Sequence, residues 1–138
     1  MVELYGDSTA LMKMVTQEKE TPALTSFVTG ENPWGEPVRW GTSFLGKTEV
    51  TRAAARISPK AQVVAGQVMS HLWFAPIDRH IMDLAGLVAP TTLRTLDALH
   101  LATALTLGFP LVAYDQRLIQ AAQGAGLTVY SPGMTTSQ

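Results

Sequence analysis

The sequence predicts an α/β fold built on a central parallel sheet flanked by helices, and three observations carry that expectation. Short apolar runs alternate along the chain with segments of helical periodicity. The runs are apolar on both faces, as strands covered by helices on each side must be. The same order of strand, acid and helix occurs near both ends: "VELYGDSTALMK" places Asp7 after the first run, and "LVAYDQRL" places Asp115 after a late one.

Residues 2 to 5 read as the first strand. "STALMKMVTQEKE" follows as a helix, with Ser8 or Thr9 as its cap and Lys13, Gln17 and Glu20 on its wet face. "TPALTSFVTG" makes a second helix, with Thr21 as N-cap, Pro22 at the first helical position and Gly30 as the stop. "ENPWGEPVRWG" is turn-rich, with a brief strand near Val38 to Trp40. From Ser43, "SFLGKTEVTRAAARI" offers Phe44, Leu45, Val50, Ala53, Ala54 and Ile57 for burial at helical spacing, with Arg52 and Arg56 four apart. "SPKAQVVAGQVMSHLWF" opens on a Ser-Pro start signal and runs helical to about Trp73. A strand around Ala75 to Ile77, a helix through "HIMDLAGLVA" and a long helix "TLRTLDALHLATALTLG" closed by Gly108 come next. The tail repeats the opening: strand "LVAY", Asp115, helix "QRLIQAAQGAG", strand "TVYS". No linker or repeat interrupts the chain, so one domain over 1–138 is expected, with 132–138 as a flexible tail.

At 138 residues, 46% hydrophobic and 15% charged, the composition is that of a globular domain with a real core. The net charge of -1 excludes a global pull towards nucleic acid or an anionic surface, so a polyanion would be held by a local patch or a metal. The absence of Cys excludes disulfides and zinc-thiolate sites and suits a reducing compartment. "MVELYGDS" has neither a basic nor an apolar signal region, and the uncharged runs 61–77 and 98–114 fall short of the roughly 20 residues a spanning helix needs. A soluble cytoplasmic protein is expected.

In open parallel sheets, ligands collect at the carboxyl ends of the strands, where helix N-termini present free N–H groups. Asp7 and Asp115 belong to that edge. Glu49 in "GKTEVTRAAAR" and Asp97 in "LRTLDALHLATA" also sit in apolar surroundings, although Asp97 near a helix start has the simpler reading of a charge favourable to the dipole. Carboxylates crowded at one edge repel and raise one another's pKa unless a cation lies among them. Oxygen donors without Cys and with few His favour Mg²⁺ or Mn²⁺ over zinc. An ion held by a few carboxylates plus a substrate phosphate suits phosphodiester hydrolysis.

The stretches "GDSTALMK", "SFLGKTEVTRAAAR", "LRTLDALHLATAL" and "LVAYDQRLIQAAQGAGLTVYSPG", in this order over nearly the whole chain, resemble the PIN domain nucleases. Within them the resemblance is to the VapC toxins of bacterial toxin–antitoxin pairs. It implies a three-layer α/β/α fold and an endoribonuclease whose acids converge on Mg²⁺ or Mn²⁺. Those acids, catalytic and metal-ligating, are Asp7, Glu49, Asp97 and Asp115, with Ser8 and Thr9 as auxiliary hydroxyls. A homodimer, an RNA substrate and a VapB-like antitoxin seated in the active-site groove are also implied. Three departures stand out. Gly6 replaces a bulky apolar residue, which would loosen the strand end; Ala113 replaces a common hydroxyl; and 31–41, with Trp34 and Trp40, has no clear counterpart.

Among other residues, Arg117 is the first choice for an RNA-phosphate contact, with Arg94, Arg52 and Lys13 as further candidates against the plainer reading of solvated cations. His100, three after Asp97, reads as a packed, hydrogen-bonded core residue, with support of a metal-binding acid from behind or proton transfer as the alternatives. His71 and His80 carry no assignment, and the Trp and Met residues read as core or subunit contacts. Two rival functions remain: an Asp-based Mg²⁺-dependent phosphatase or receiver, which wants acids that are not evident beside Asp7, and a catalytically weak PIN-fold interaction module.

Overall fold

Five strands, β1 (Glu3–Gly6), β2 (Arg39–Ser43), β3 (Trp73–Ala75), β4 (Leu111–Val112) and β5 (Val129–Tyr130), form one sheet in a computed structural model that describes residues 1 to 135. Their order is β3-β2-β1-β4-β5, and every pairing is parallel. The helices between them are α1 (Ser8–Val15), α2 (Thr21–Thr29), α3 (Phe44–Ile57), α4 (Pro59–Met69), α5 (Arg79–Ala85), α6 (Thr95–Leu107) and α7 (Gln116–Gly124).

The alternation of side chains along each strand divides the core in two. Leu4 and Val112 point to one face, where they meet Leu11 of α1, Leu24 and Phe27 of α2, Val50 and Ala54 of α3 and Ala65 of α4. Their neighbours Tyr5, Leu111 and Ala113 point to the other, against Leu101 and Ala104 of α6 and Leu118 and Ala122 of α7. The result is the expected three-layer α/β/α architecture. The chain steps outward from β1 to β2 and β3, then returns to lay β4 on the free side of β1. The order therefore reverses between β1 and β4, the place where such sheets bind ligands.

Several local expectations are corrected. The cap of α1 is Asp7, which accepts from Ala10 N, rather than Ser8 or Thr9. That helix ends at Val15, and the segment after it folds back so that Glu18 and Glu20 clasp Lys13 at 3.3 and 3.0 Å. Lys13 is thus only 9% exposed, not wet, and lies over the Tyr114 ring. Thr21 is the first residue of α2 rather than its cap, and its hydroxyl donates to the Lys13 carbonyl. Helix α4 stops at Met69, and β3 begins at Trp73, two residues ahead of the expected strand. Phe44 and Ile57 remain half exposed because they fall at the two ends of α3, outside the stripe carried by Val50 and Ala54.

Gly6 does not loosen its strand. A Cβ there would press on the Trp40 ring at 3.0 Å, so the missing side chain is replaced by an indole from the neighbouring strand. The 31–41 stretch is fastened as well: Asn32 donates to the Phe27 and Glu36 carbonyls, and Trp34 packs edge-on against Phe27 and Tyr130. In the stretch expected to be a flexible tail, the Pro132 carbonyl accepts from the Tyr114 hydroxyl and Met134 packs on the α7 side of the core. Residues 136 to 138 of that stretch lie outside the described residues.

Candidate metal and active site

Asp7 immediately follows β1 at the reversal point. Its carboxylate is 2% exposed and receives the Thr9 hydroxyl at 2.8 Å on Oδ1 and 2.9 Å on Oδ2, with Ala10 N at 2.9 Å. Among the described residues no basic side chain forms an ion pair with it. Burial pushes its pKa above the ordinary carboxylate value and the charge of Asp97 adds to that, against opposing contributions from His100, Ala10 N and Thr9. A buried anion held only by neutral donors is costly unless a cation is added.

Asp115 caps α7, its Oδ1 accepting from Arg117 N at 2.9 Å and Leu118 N at 3.1 Å. Asp97 stands in the first turn of α6. The Arg94 guanidinium spans these two acids, 3.3 Å from Asp97 Oδ2 and 3.8 Å from Asp115 Oδ2. Glu49, midway along α3, places Oε1 2.6 Å from His100 Nε2. Asp97 and Asp115 are thus joined through Arg94, and Glu49 is joined to His100, while the Asp7 side chain is hydrogen-bonded only to Thr9 and Ala10 N.

The acids are not drawn into a ready-made cage, since no group of three acids or imidazoles among the described residues is close enough to enclose a metal. The donor chemistry nevertheless fits a hard divalent ion. All the candidate ligands are oxygens, the most buried one lacks a cationic partner, and Mg²⁺ is commonly bound by one or two carboxylates while keeping several waters.

A cleft of about 600 Å³ runs from this edge between α1 and α3, lined by Ser8, Thr9, Glu49, Arg52 and Arg56 among others. Positions 49, 52 and 56 share one face of α3 at i, i+3 and i+7, and both arginines are exposed. Lys13 also borders the cleft but is occupied by its two glutamates. Arg117 lines a different cleft, with Pro90, Leu93 and Gln120. Sequence reasoning missed Tyr5, whose hydroxyl meets His100, because an aromatic in an apolar strand gives no polar signal. The spacing of Arg52 and Arg56 was visible, but not their approach to Ser8 and Thr9.

The PIN domain family model matches residues 5–124. Ribonuclease VapC46 of Mycobacterium tuberculosis is 36% identical over 135 residues, covering 96% of this chain and 99% of its own. Ribonuclease VapC47 of the same species is 35% identical over 134 residues, covering 94% and 97%. Similar solved folds include VapBC2 of Rickettsia felis bound to a promoter DNA fragment, with a TM-score of 0.71 at 10% identity, covering 94% of this chain and 98% of that one. A toxin–antitoxin complex from Klebsiella pneumoniae has a TM-score of 0.70 at 18% identity, covering 94% and 97%. With the acids at the ends of β1 and β4 and a family match over most of its length, this chain belongs to the PIN domain family, in its VapC group.

Proposed function

We propose that this protein is a Mg²⁺- or Mn²⁺-dependent endoribonuclease, the toxin of a toxin–antitoxin pair. The observation that carries the reading is Asp7: a buried carboxylate without a cationic partner at the reversal point of the sheet, with Asp97 near enough to raise its pKa. Near-full-length likeness to proteins that are themselves ribonucleases supports the reaction class.

Asp7, Glu49, Asp97 and Asp115 are the residues that would hold the divalent ion. The bound ion would lower the pKa of water and offset charge developing on the scissile phosphate. Thr9 fixes both Asp7 oxygens, so the carboxylate is oriented before substrate arrives. Ser8 offers a further hydroxyl at the mouth of the cleft. Arg52 and Arg56 bind backbone phosphates of RNA along α3, supplying the local grip that a net charge of -1 does not provide at long range. Arg94 neutralises Asp97 and Asp115 in the absence of the ion and is free to turn to a phosphate in its presence.

The protein works in the cytoplasm as a homodimer of single-domain subunits, silenced by a VapB-like antitoxin. Structures of similar fold in complex with antitoxins support the partner, and exposed Phe44, Met82, Leu87 and Leu96 provide apolar surface for protein contacts. The absence of Cys suits a reducing compartment. No helix among the described residues is long and apolar enough to cross a membrane.

The test is cleavage of RNA by purified, antitoxin-free protein. EDTA is expected to reduce cleavage to background and added Mn²⁺ to restore it. Undiminished cutting in EDTA would remove the metal from the reaction, and no cutting under any divalent ion would remove the nuclease reading.

A further inference from the structure

His100 is 1% exposed, yet both its ring nitrogens are engaged by partners from other elements. Nε2 lies 2.6 Å from Glu49 Oε1 on α3, and Nδ1 lies 2.7 Å from the Tyr5 hydroxyl on β1. Tyr5 is itself fully buried and bonds Ser43 Oγ at 3.0 Å, and Ser43 Oγ also accepts from Gly46 N as the cap of α3. The network therefore joins three elements that each carry or directly precede a candidate acid. Tyr5 is two residues before Asp7, Ser43 begins the helix of Glu49, and His100 is three residues after Asp97 on one helix face. A histidine that merely filled space would not need this arrangement. A buried polar chain is tolerated when every member is satisfied, as here, and it then rigidifies what it touches.

The consequence falls on Glu49. A glutamate on a half-open helix face samples several rotamers, and ordering it opposes any ligand it must bind. One oxygen is fixed by the imidazole, while the side chain still lines the cleft with Ser8 and Thr9. We infer that His100 is the positioning residue for Glu49, braced by Tyr5, and that it pre-sets this carboxylate for the divalent cation. The inference rests on the nuclease reading of the site. Partners of this kind, standing behind metal-ligating groups, typically alter metal affinity or activity by about 10- to 100-fold when removed.

Two substitutions separate positioning from packing. In His100→Asn the amide stands where Nδ1 stands, so the Tyr5 contact survives and the Glu49 contact is lost. In His100→Gln the amide nitrogen reaches the place of Nε2, so the Glu49 contact is regained. Mn²⁺ binding by calorimetry on RNA-free protein is expected to weaken about 10- to 100-fold in the Asn variant and to recover most of that loss in the Gln variant, which still lacks the Tyr5 brace. Turnover on RNA should follow the same order. Wild-type Mn²⁺ affinity in His100→Asn, or equal losses in both variants, would overturn the positioning role. If neither variant folds, Tyr5→Phe, which keeps the ring and removes the brace, is expected to show a smaller loss in the same direction, and unchanged affinity there would overturn the role. Wild-type protein that neither binds Mn²⁺ nor cuts RNA would sink the nuclease reading and this inference together. Intact wild-type binding and cutting with an indifferent His100→Asn would sink the inference alone.

Discussion

Asp7→Asn protein is expected to stay folded, to melt a few degrees above wild type in metal-free buffer near neutral pH, and to lose RNA cleavage by more than about 100-fold. The fold survives because Asn caps a helix about as well as Asp, so Ala10 N keeps its acceptor. Stability rises because the native carboxylate is an ion held in a dry place. Its pKa is raised in the folded state by burial first and by Asp97 in addition, so the folded chain holds this proton more tightly than the unfolded chain does. Stability is then lost as pH climbs from the unfolded value of 3.8 through the higher folded value, and the penalty persists above it. The melting difference between variant and wild type should accordingly open across that window and close below it. Added Mn²⁺ should raise the melting temperature of wild type by ligand linkage and leave Asp7→Asn unmoved. A variant that melts below wild type at neutral pH, or cuts RNA at the wild-type rate, would contradict this view of Asp7.

Gly41→Ala is expected to lose more than about 3 kcal/mol of stability, a melting drop on the order of 10 °C, or to fail to accumulate as soluble protein. Gly41 is in register with Tyr5 on one side and Trp73 on the other, on a strand paired along both edges. A Cβ there would run into the Trp73 carbonyl oxygen and its indole. The carbonyl belongs to the paired strand and cannot turn away. The indole cannot retreat either, being packed between Tyr5 at 6.4 Å and Phe109 at 5.6 Å. Overfilling an ordinary core site costs about 1–3 kcal/mol, and an obstacle made of backbone puts this site at or beyond that range. Because total stability is commonly only about 5–15 kcal/mol, the loss threatens the fold itself. A thermal melt within about 2 °C of wild type would show that β2 and β3 are not held this closely.

The sheet was legible because its strands are short and apolar on both faces, and Leu4 beside Tyr5 shows the reason: each serves a different helical layer. The acids at strand ends were legible for the same topological reason, since Asp7 and Asp115 directly follow such runs. Other features depend on contacts that spacing does not encode. The sequence offered Ser8 or Thr9 as the cap of α1, but it is the Asp7 side chain that accepts from Ala10 N. Periodicity placed Lys13 on a wet face, but the 16–21 segment folds back over it. β3 begins at Trp73, in register with Gly41, whose absent Cβ leaves the room that the Trp73 carbonyl and indole occupy. The chain from Glu49 through His100 to Tyr5 joins residues 51 and 95 positions apart, a distance at which one sequence carries no pairing signal.

The most direct measurement is an anomalous-scattering map from crystals of the protein grown with Mn²⁺. A peak is expected at the edge between β1 and β4, about 2 Å from an Asp7 oxygen and within reach, directly or across one water, of Asp97, Asp115 and Glu49. A map with no peak beside Asp7, or with Mn²⁺ bound elsewhere while Asp7 pairs with a basic side chain, would contradict the shared-cation site.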